Sequence, residues 1–569
     1  MKKNNFTLLC TCIVLILSLT LDLSAQSVKH SKAIEKEIDA LFADYDKPNH
    51  PGAAIAVIKD GNLVYSKGYG SAQLEYDIPI TPKTVFHAAS LSKQFTAFSV
   101  LLLEEKGLLS MDDDIRKYIP EVPDFGHTIA LRHLASHSSG LRDQWRLLTM
   151  AGWRLDDVIT KEQIMKLVER QKALNFMPGD ENLYSNTGFT LLAEVVERVS
   201  GQSFAEFTKK NIFEPLNMTN TQFYDNHEKI VKNRAYSYKK TDDGYKKSIL
   251  SYATVGPSSL FVTAEDFALW ALNFENPKVG SKAIIEKLNT PPPLNHENEG
   301  RGFALGQFRG TYQGLNVFVH SGSDAGYKAY FGRVIDHGLS VVVLGNVSTI
   351  NPIEQVFGIV NLYLSDHFEE TNSNSEERKT FEHDPNIFIN LSKNELQQFE
   401  GDYWEPKEGY KRKIYVKNDT LMYYRSESSE TKLVPIAKNE FKMLGDSENV
   451  SVLFNSNQES IKRMQVIIND RAPLDMLAFS KVNLEEYEGA FYSEELSTTY
   501  TFKVIEEALI AQHPRHEDII FSPITKNLFN SKNRSLKTIK FVRNSANKVI
   551  GIKASNGRVR DLYFEKEKK

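Results

Sequence analysis

The chain has 569 residues, 41% hydrophobic and 25% charged, with 33 Phe, 24 Tyr and a formal net charge of −4. That length exceeds what one hydrophobic core fills, so two or three domains are expected, and the aromatic content excludes a disordered tail or a fibre. A slightly acidic balance offers no basic field, so no nucleic-acid partner is expected. Residues 1–25 begin with Lys2 and Lys3, continue through an apolar run from Phe6 to Leu21 and end in small residues at Ala25, the pattern of a cleaved secretory signal peptide; the expected location is periplasmic or secreted. Asp22 cuts the apolar run short and no second hydrophobic span follows, so no stable membrane span is expected after cleavage. Both cysteines, Cys10 and Cys12, lie in this segment, which leaves the mature chain without thiol or disulfide; Cys12 as a lipid-attachment site is the alternative.

From there the predicted elements run in order. Ala53 to Ile58, Asp60-Gly61 and Leu63 to Tyr65 read as two strands joined by a turn that needs positive φ. Ser90 to Gly107 is apolar at helical spacing and stops at a glycine, so it reads as a helix opened by Ser90 and Lys93. Residues 110–310 mix helical patterns with Pro and Gly turns, including Met177-Pro178-Gly179-Asp180 ahead of a helix from Thr187 to Val199. Tyr327 to Val334 and Leu339 to Leu344 read as strands and Pro352 to Leu364 as a helix. Residues 369–386 are polar and charged, a linker after a first domain at 28–368. Beyond it, short strands alternate with Asn, Asp, Ser and Gly, and Leu396-x-x-Phe399-x-Gly401-x-Tyr403 recurs 88 residues later as Leu484-x-x-Tyr487-x-Gly489-x-Phe491. Two β-barrels, 387–478 and 479–569, are the simplest account; one larger barrel with similar halves is the alternative.

Three motifs carry chemistry. In Ser90-Leu91-Ser92-Lys93, residues three apart on a helix are neighbours, so the lysine amine reaches the serine hydroxyl. A lysine base needs a lowered pKa, which burial and nearby dipoles supply. Spacing alone selects nothing, because Ser237-x-x-Lys240, Ser429-x-x-Lys432 and Ser545-x-x-Lys548 also match; Ser90 alone opens an apolar helix. Tyr184-Ser185-Asn186 follows a Pro-Gly turn and precedes a helix, which would hold the phenol toward a cleft, with Asn186 bonding Lys93 or a substrate amide, or serving as an N-cap. Tyr224-Asp225-Asn226 fits the same pattern in a less suitable setting. His320-Ser321-Gly322-Ser323 follows a strand-like run; its glycine allows close approach of substrate backbone, and the Ser323 and Ser90 main-chain N–H groups would form an oxyanion hole. The bland alternative is a strand-end turn. His133-x-x-x-His137 has metal-ligand spacing without the adjacent glutamate of zinc peptidases, and no Walker or dinucleotide glycine pattern is present, so neither metal nor cofactor is expected.

With these motifs in this order, together with Phe86-His87-Ala88-Ala89, Leu131 to Leu141 and Thr263 to Ala268, residues 30–368 resemble the serine β-lactamase and penicillin-binding-protein superfamily, in its class C, D-aminopeptidase and esterase branch. The resemblance implies an α+β fold, an antiparallel sheet flanked by helices with a helical subdomain, followed by an all-β, lipocalin-like region. It implies Ser90 as nucleophile, Lys93 and Tyr184 sharing general-base duty, Asn186 positioning substrate and His320 flanking the pocket. β-Lactamases of the group usually carry lysine where this chain has His320, which shifts the expectation from efficient β-lactam hydrolysis toward peptides with D-residues or small esters. The expected partner is a small-molecule or peptide substrate. Two alternatives remain: a weak β-lactamase, and a catalytically inert ligand-binding protein of the same fold.

Overall fold

The apolar run from Ala53 to Ile58 lacks polar alternation because both of its faces are covered. In the computed structural model, which describes residues 32–568 apart from 252–253, 297–301, 369–387, 406–409, 427–428, 445–447, 457–461, 470–472 and 479–481, this run is β1 (Ala53–Lys59) of a seven-stranded antiparallel sheet. The signal segment and the linker expected from the sequence lie outside the described residues. The other strands are β2 (Asn62–Tyr69), β3 (Phe303–Ala304), β4 (Gln307–Tyr312), β5 (Leu315–Asp324), β6 (Tyr327–Val334) and β7 (Leu339–Gly345), in the order β3-β4-β5-β6-β7-β1-β2. The hairpin turn between β1 and β2 has Asp60 and Gly61 both at positive φ. Pairing of β1 with β7, from Ala53 opposite Gly345 to Lys59 opposite Leu339, joins the start of the domain to its end.

Strand alternation sends Ala54, Ala56 and Ile58 into one core and Ala53, Ile55 and Val57 into another. The first core lies between the sheet and the helices of residues 92–288, including Ser92–Glu105, Asn186–Ser200 and Ala264–Glu275. The second packs the other face against the 32–41 helix and Pro352–Leu364. Each fully buried Leu, Ile or Phe in such cores contributes about 1.5–3 kcal/mol of transfer free energy. Ser92–Glu105 is buried from Ser92 to Leu103, which is why its sequence is apolar on nearly every face. Gly107 ends it in the left-handed region, with its N–H bonded to the Glu104 carbonyl at 2.8 Å. Within 110–310 the structure adds short strands to the helices and loops expected there, among them the hairpin Tyr238–Thr241 and Gly244–Lys247.

The C-terminal region forms two closed eight-stranded barrels, from Gly401–Glu405 to Leu474–Ala478 and from Gly489–Ser493 to Leu562–Lys566. The repeated motif explains the closure. Gly401 and Gly489 each open a first strand, and Tyr403 and Phe491 each pair with the last strand, opposite Ala478 and Lys566. Phe399 and Tyr403 pack on Phe454 in the first barrel; Tyr487, Phe491, Phe502, Phe529 and Phe541 form a ring cluster in the second.

Residues Arg142–Arg154 belong to the same compact unit as the barrels, whereas Leu155–Glu369 fall with the sheet. Asp143 caps the helix Gln144–Met150, accepting from the Arg146 N–H at 3.2 Å. Arg142 is buried against Glu495 of the second barrel, Nη1 to Oε2 at 2.5 Å, with 2% and 7% of the two side chains exposed. Its Nη2 donates to the Arg560 carbonyl at 3.1 Å. Tyr500 donates its hydroxyl proton to the Met150 carbonyl at 2.9 Å, and His516 donates Nε2–H to the Thr149 carbonyl at 2.8 Å.

Candidate active site

Ser90 sits in the 3-10 turn Ala89–Leu91 that leads into Ser92–Glu105. Its predecessor Ala89 has φ 48°, a left-handed conformation that costs a non-glycine residue about 1–3 kcal/mol and is held by its surroundings. Ser92 supplies part of that hold: its hydroxyl donates to the Ala89 carbonyl at 2.6 Å and accepts from the Leu260 N–H at 3.1 Å. Ser90 is half-buried while residues 84–89 before it are buried.

Lys93 is 0% exposed, one helical turn on. Its Nζ lies 3.1 Å from Ser90 Oγ, 2.9 Å from Asn186 Oδ1 and 2.7 Å from the Pro257 carbonyl oxygen. The two amide oxygens can only accept. In the neutral amine, N–H bonds to Asn186 and Pro257 would hold the nitrogen within reach of the Ser90 hydroxyl, the arrangement that a base for serine requires. Asn186 is the first residue of Asn186–Ser200, with Ser185 as N-cap, so the polar role is the one its side chain takes.

Tyr184 is half-buried, and Lys93 Nζ stands 4.9 Å from its ring centroid and 5.4 Å from that of Phe189. His137 stacks on the Tyr184 ring with centroids 4.2 Å apart and accepts the Ser185 N–H on Nδ1 at 3.1 Å. That bond and His133, whose Nδ1 accepts the Ala130 N–H at 3.2 Å, give both imidazoles of the metal-like spacing structural work. His137 itself lies past the end of the helix Leu131–Ala135, at φ 59°.

His320, Ser321, Gly322 and Ser323 lie within β5, not in a strand-end turn. The pleat points His320 and Gly322 inward and leaves Ser321 and Ser323 exposed, where Ser323 Oγ accepts from Lys328 Nζ at 2.8 Å. A Cβ on Gly322 would stand 2.3 Å from the Ala88 carbonyl oxygen, so the glycine lets β5 lie against the backbone just before the nucleophile. Gly322→Ala is expected to displace that backbone and reduce any Ser90-dependent rate at least about 100-fold, the scale of a misplaced reacting group; steady-state assay alongside a thermal melt checks it. His320 donates Nδ1–H to the Ser321 carbonyl at 2.7 Å, which leaves Nε2 as an acceptor. Burial, and next the Lys93 charge, lower its pKa to about 3, so the ring is neutral at physiological pH. Its centroid is 6.2 Å from that of Tyr184.

The sequence look-alikes do not form such a site. Ser237–Lys240 and Ser429–Lys432 run along strands Tyr238–Thr241 and Ser429–Ala437, where residues three apart face opposite ways, and Ser545 lies in the turn spanning Asn544 to Lys548. Tyr224 donates its hydroxyl proton to the His227 carbonyl. The Pro257 carbonyl and the His137 stack were not found from sequence: a main-chain acceptor has no residue signature, and His137 carried only the misleading metal spacing.

The sheet between two helical layers, with a buried lysine joining Ser90, Asn186 and a main-chain carbonyl, is the architecture of a serine hydrolase. The chain belongs to the Beta-lactamase family, whose model matches residues 38–356. It is 29% identical over 341 residues to penicillin-binding protein 4* of Bacillus subtilis, covering 56% of this chain and 73% of that protein. It is 27% identical over 317 residues to a D-aminopeptidase of Gluconobacter oxydans, covering 56% of this chain and 59% of that one. The structure of the octameric penicillin-binding protein homologue from Pyrococcus abyssi superposes with a TM-score of 0.52 at 25% identity, over 79% of this chain and 99% of that one. D-amino acid amidase from Ochrobactrum anthropi, at 19% identity and a TM-score of 0.51, shares the fold.

Proposed function

We propose that this protein is a secreted or periplasmic serine hydrolase that opens an amide, peptide or ester bond through an acyl-enzyme on Ser90, with peptides containing D-residues or small esters as substrates. The observation that carries the reading is the disposition of Lys93, buried and held by Asn186 and the Pro257 carbonyl with its Nζ 3.1 Å from Ser90 Oγ. Ser90 Oγ bonds to the carbonyl carbon as its proton passes to Lys93 Nζ. The oxyanion is met by the main-chain N–H groups of Ser90 and Ser323, and Tyr184 serves with Lys93 in returning a proton to the leaving amine or alkoxide. Water then attacks the acyl-enzyme by the same route in reverse.

The substrate class is supported by the D-aminopeptidase and penicillin-binding relatives and by His320. A neutral ring presenting an acceptor offers no permanent charge to a β-lactam carboxylate. Mapping of a fluorophosphonate adduct on the mature protein tests the nucleophile. One adduct on Ser90, absent with turnover in Ser90→Ala, is the expected result; turnover that survives the substitution sinks the assignment. Among D-aminoacyl amides, small esters and a chromogenic β-lactam, the β-lactam is expected to be the slowest.

A further inference from the structure

The acceptor that fixes Lys93 is a peptide carbonyl, and its position depends on the turn that carries it. Residues 254–260 are uncharged and tied at nearly every step. The Gly256 carbonyl accepts from Thr96 Oγ1 at 2.8 Å, the Ser259 N–H donates to His87 Nε2 at 3.2 Å, and Ser259 Oγ donates to the Thr254 carbonyl at 2.9 Å. Ser259 is held at φ 71°. Ser258, 3% exposed and next to Pro257, donates its hydroxyl proton to Asp324 Oδ2 at 3.0 Å. Asp324 is the last residue of β5, the strand that carries His320 to Ser323. One carboxyl thus ties the strand that carries His320 to Ser323 to the turn whose Pro257 carbonyl accepts from Lys93.

We propose that Asp324 is a positioning residue of the acyl-transfer site: it holds the Ser258–Pro257 turn against Lys93 and, through its own charge, sets how readily Lys93 gives up its proton. The inference rests on the Ser90–Lys93 reading above. Burial pushes the Asp324 carboxyl up to about 7, against the opposing pull of the Ala325 main-chain bond and the Lys93 charge. The Lys93 charge thus acts on the Asp324 carboxyl, and the carboxyl acts on Lys93 in return. An Asp324 carboxylate favours the Lys93 ammonium, whereas a neutral carboxyl does not; only the amine can accept the Ser90 proton. Tyr327, opposite Asp324 in β6, donates its hydroxyl proton to the Ala235 carbonyl at 2.6 Å and lies 3.5 Å from Arg234 Nε. Lys328 bonds Ser323, and His320 is neutral.

The sign of the effect follows. Removing the carboxylate makes Lys93 lose its proton at lower pH, so the acid limb of Ser90 reactivity moves down. The test is the rate of fluorophosphonate labelling at Ser90 in the full chain, from about pH 5 to about pH 10, for wild type, Asp324→Asn, Asp324→Ser and Ser258→Ala. Both Asp324 variants are expected to shift the acid limb down by about one pH unit, as for a removed neighbouring charge. Ser258→Ala, which keeps the carboxyl, is expected to slow labelling across the range without shifting the limb. Limbs that coincide with wild type in the folded Asp324 variants overturn the inference, and Asp324→Ser decides if Asp324→Asn does not fold. Wild type that takes no label at Ser90 removes the underlying reading, a different failure from an unmoved limb.

Discussion

Lys93→Met is expected to slow covalent labelling of Ser90 by roughly 10³-fold, within the range for loss of a positioned general base. Methionine matches the length of the lysine stem and keeps the packing against Phe189, but it has no lone pair of useful basicity for Ser90. It also removes the buried donor that Asn186 Oδ1 and the Pro257 carbonyl share. Each such acceptor costs about 1–3 kcal/mol, so a lower melting temperature should accompany the lost reactivity. Rate and melt are read together: labelling within tenfold of wild type in a folded Lys93→Met protein would mean that another group deprotonates Ser90. Asn186→Leu separates the contributions, since it removes one acceptor of Lys93 while keeping the amine.

The second large effect lies in the unit that holds the barrels. Arg142→Met is expected to cost up to about 3–5 kcal/mol locally, the scale of breaking a buried ion pair by removing one partner, because it takes the guanidinium away from the buried Glu495 carboxylate. Hydrogen exchange is the appropriate measurement in a chain with several cooperative units. The Asp143 N–H, bonded to the Arg558 carbonyl at 3.3 Å, and the helix Gln144–Met150 should lose protection, while the first barrel keeps its own. Arg142→Met combined with Glu495→Leu should recover part of the loss, since removing both charges also removes the desolvation cost of the carboxylate. Equal protection in wild type and Arg142→Met would show that the other ties, among them those of Tyr500, His516 and Arg558, hold the segment without the ion pair.

The parts of this molecule that the sequence displays are those governed by local rules. Asp60-Gly61 between two apolar runs gives its hairpin because few other dipeptides accept positive φ twice. The 88-residue repeat displays two barrels because each copy supplies the glycine and aromatic of a first strand. Ser90, Lys93 and Asn186 were legible because side chains bond one another at helix starts. What stayed hidden depends on partners remote in the chain. Nothing near Ala53 indicates that Gly345 will pair with it. Pro257 acts through a carbonyl that every residue possesses. Asp324 looks like one more acidic residue at a strand end until the fold brings Ser258 onto it. His320-Ser321-Gly322 read equally well as a turn, since Ser and Gly favour turns and only the neighbours β4 and β6 make it a strand.

The segment from Arg142 to Arg154 sets an order of assembly. Arg142 and Glu495 are 353 residues apart, and Arg142 and Arg560 are 418 apart. A chain delivered N-terminus first exposes this short helix and its arginine long before the strands that receive them exist. At roughly 5–20 residues per second, synthesis alone separates them by tens of seconds. Until the last barrel closes, the segment lacks the Glu495, Tyr500 and His516 partners that hold it in the folded chain. Damage or truncation near the C-terminus would therefore be registered some 350 residues upstream, where the bonds that hold this segment would be lost.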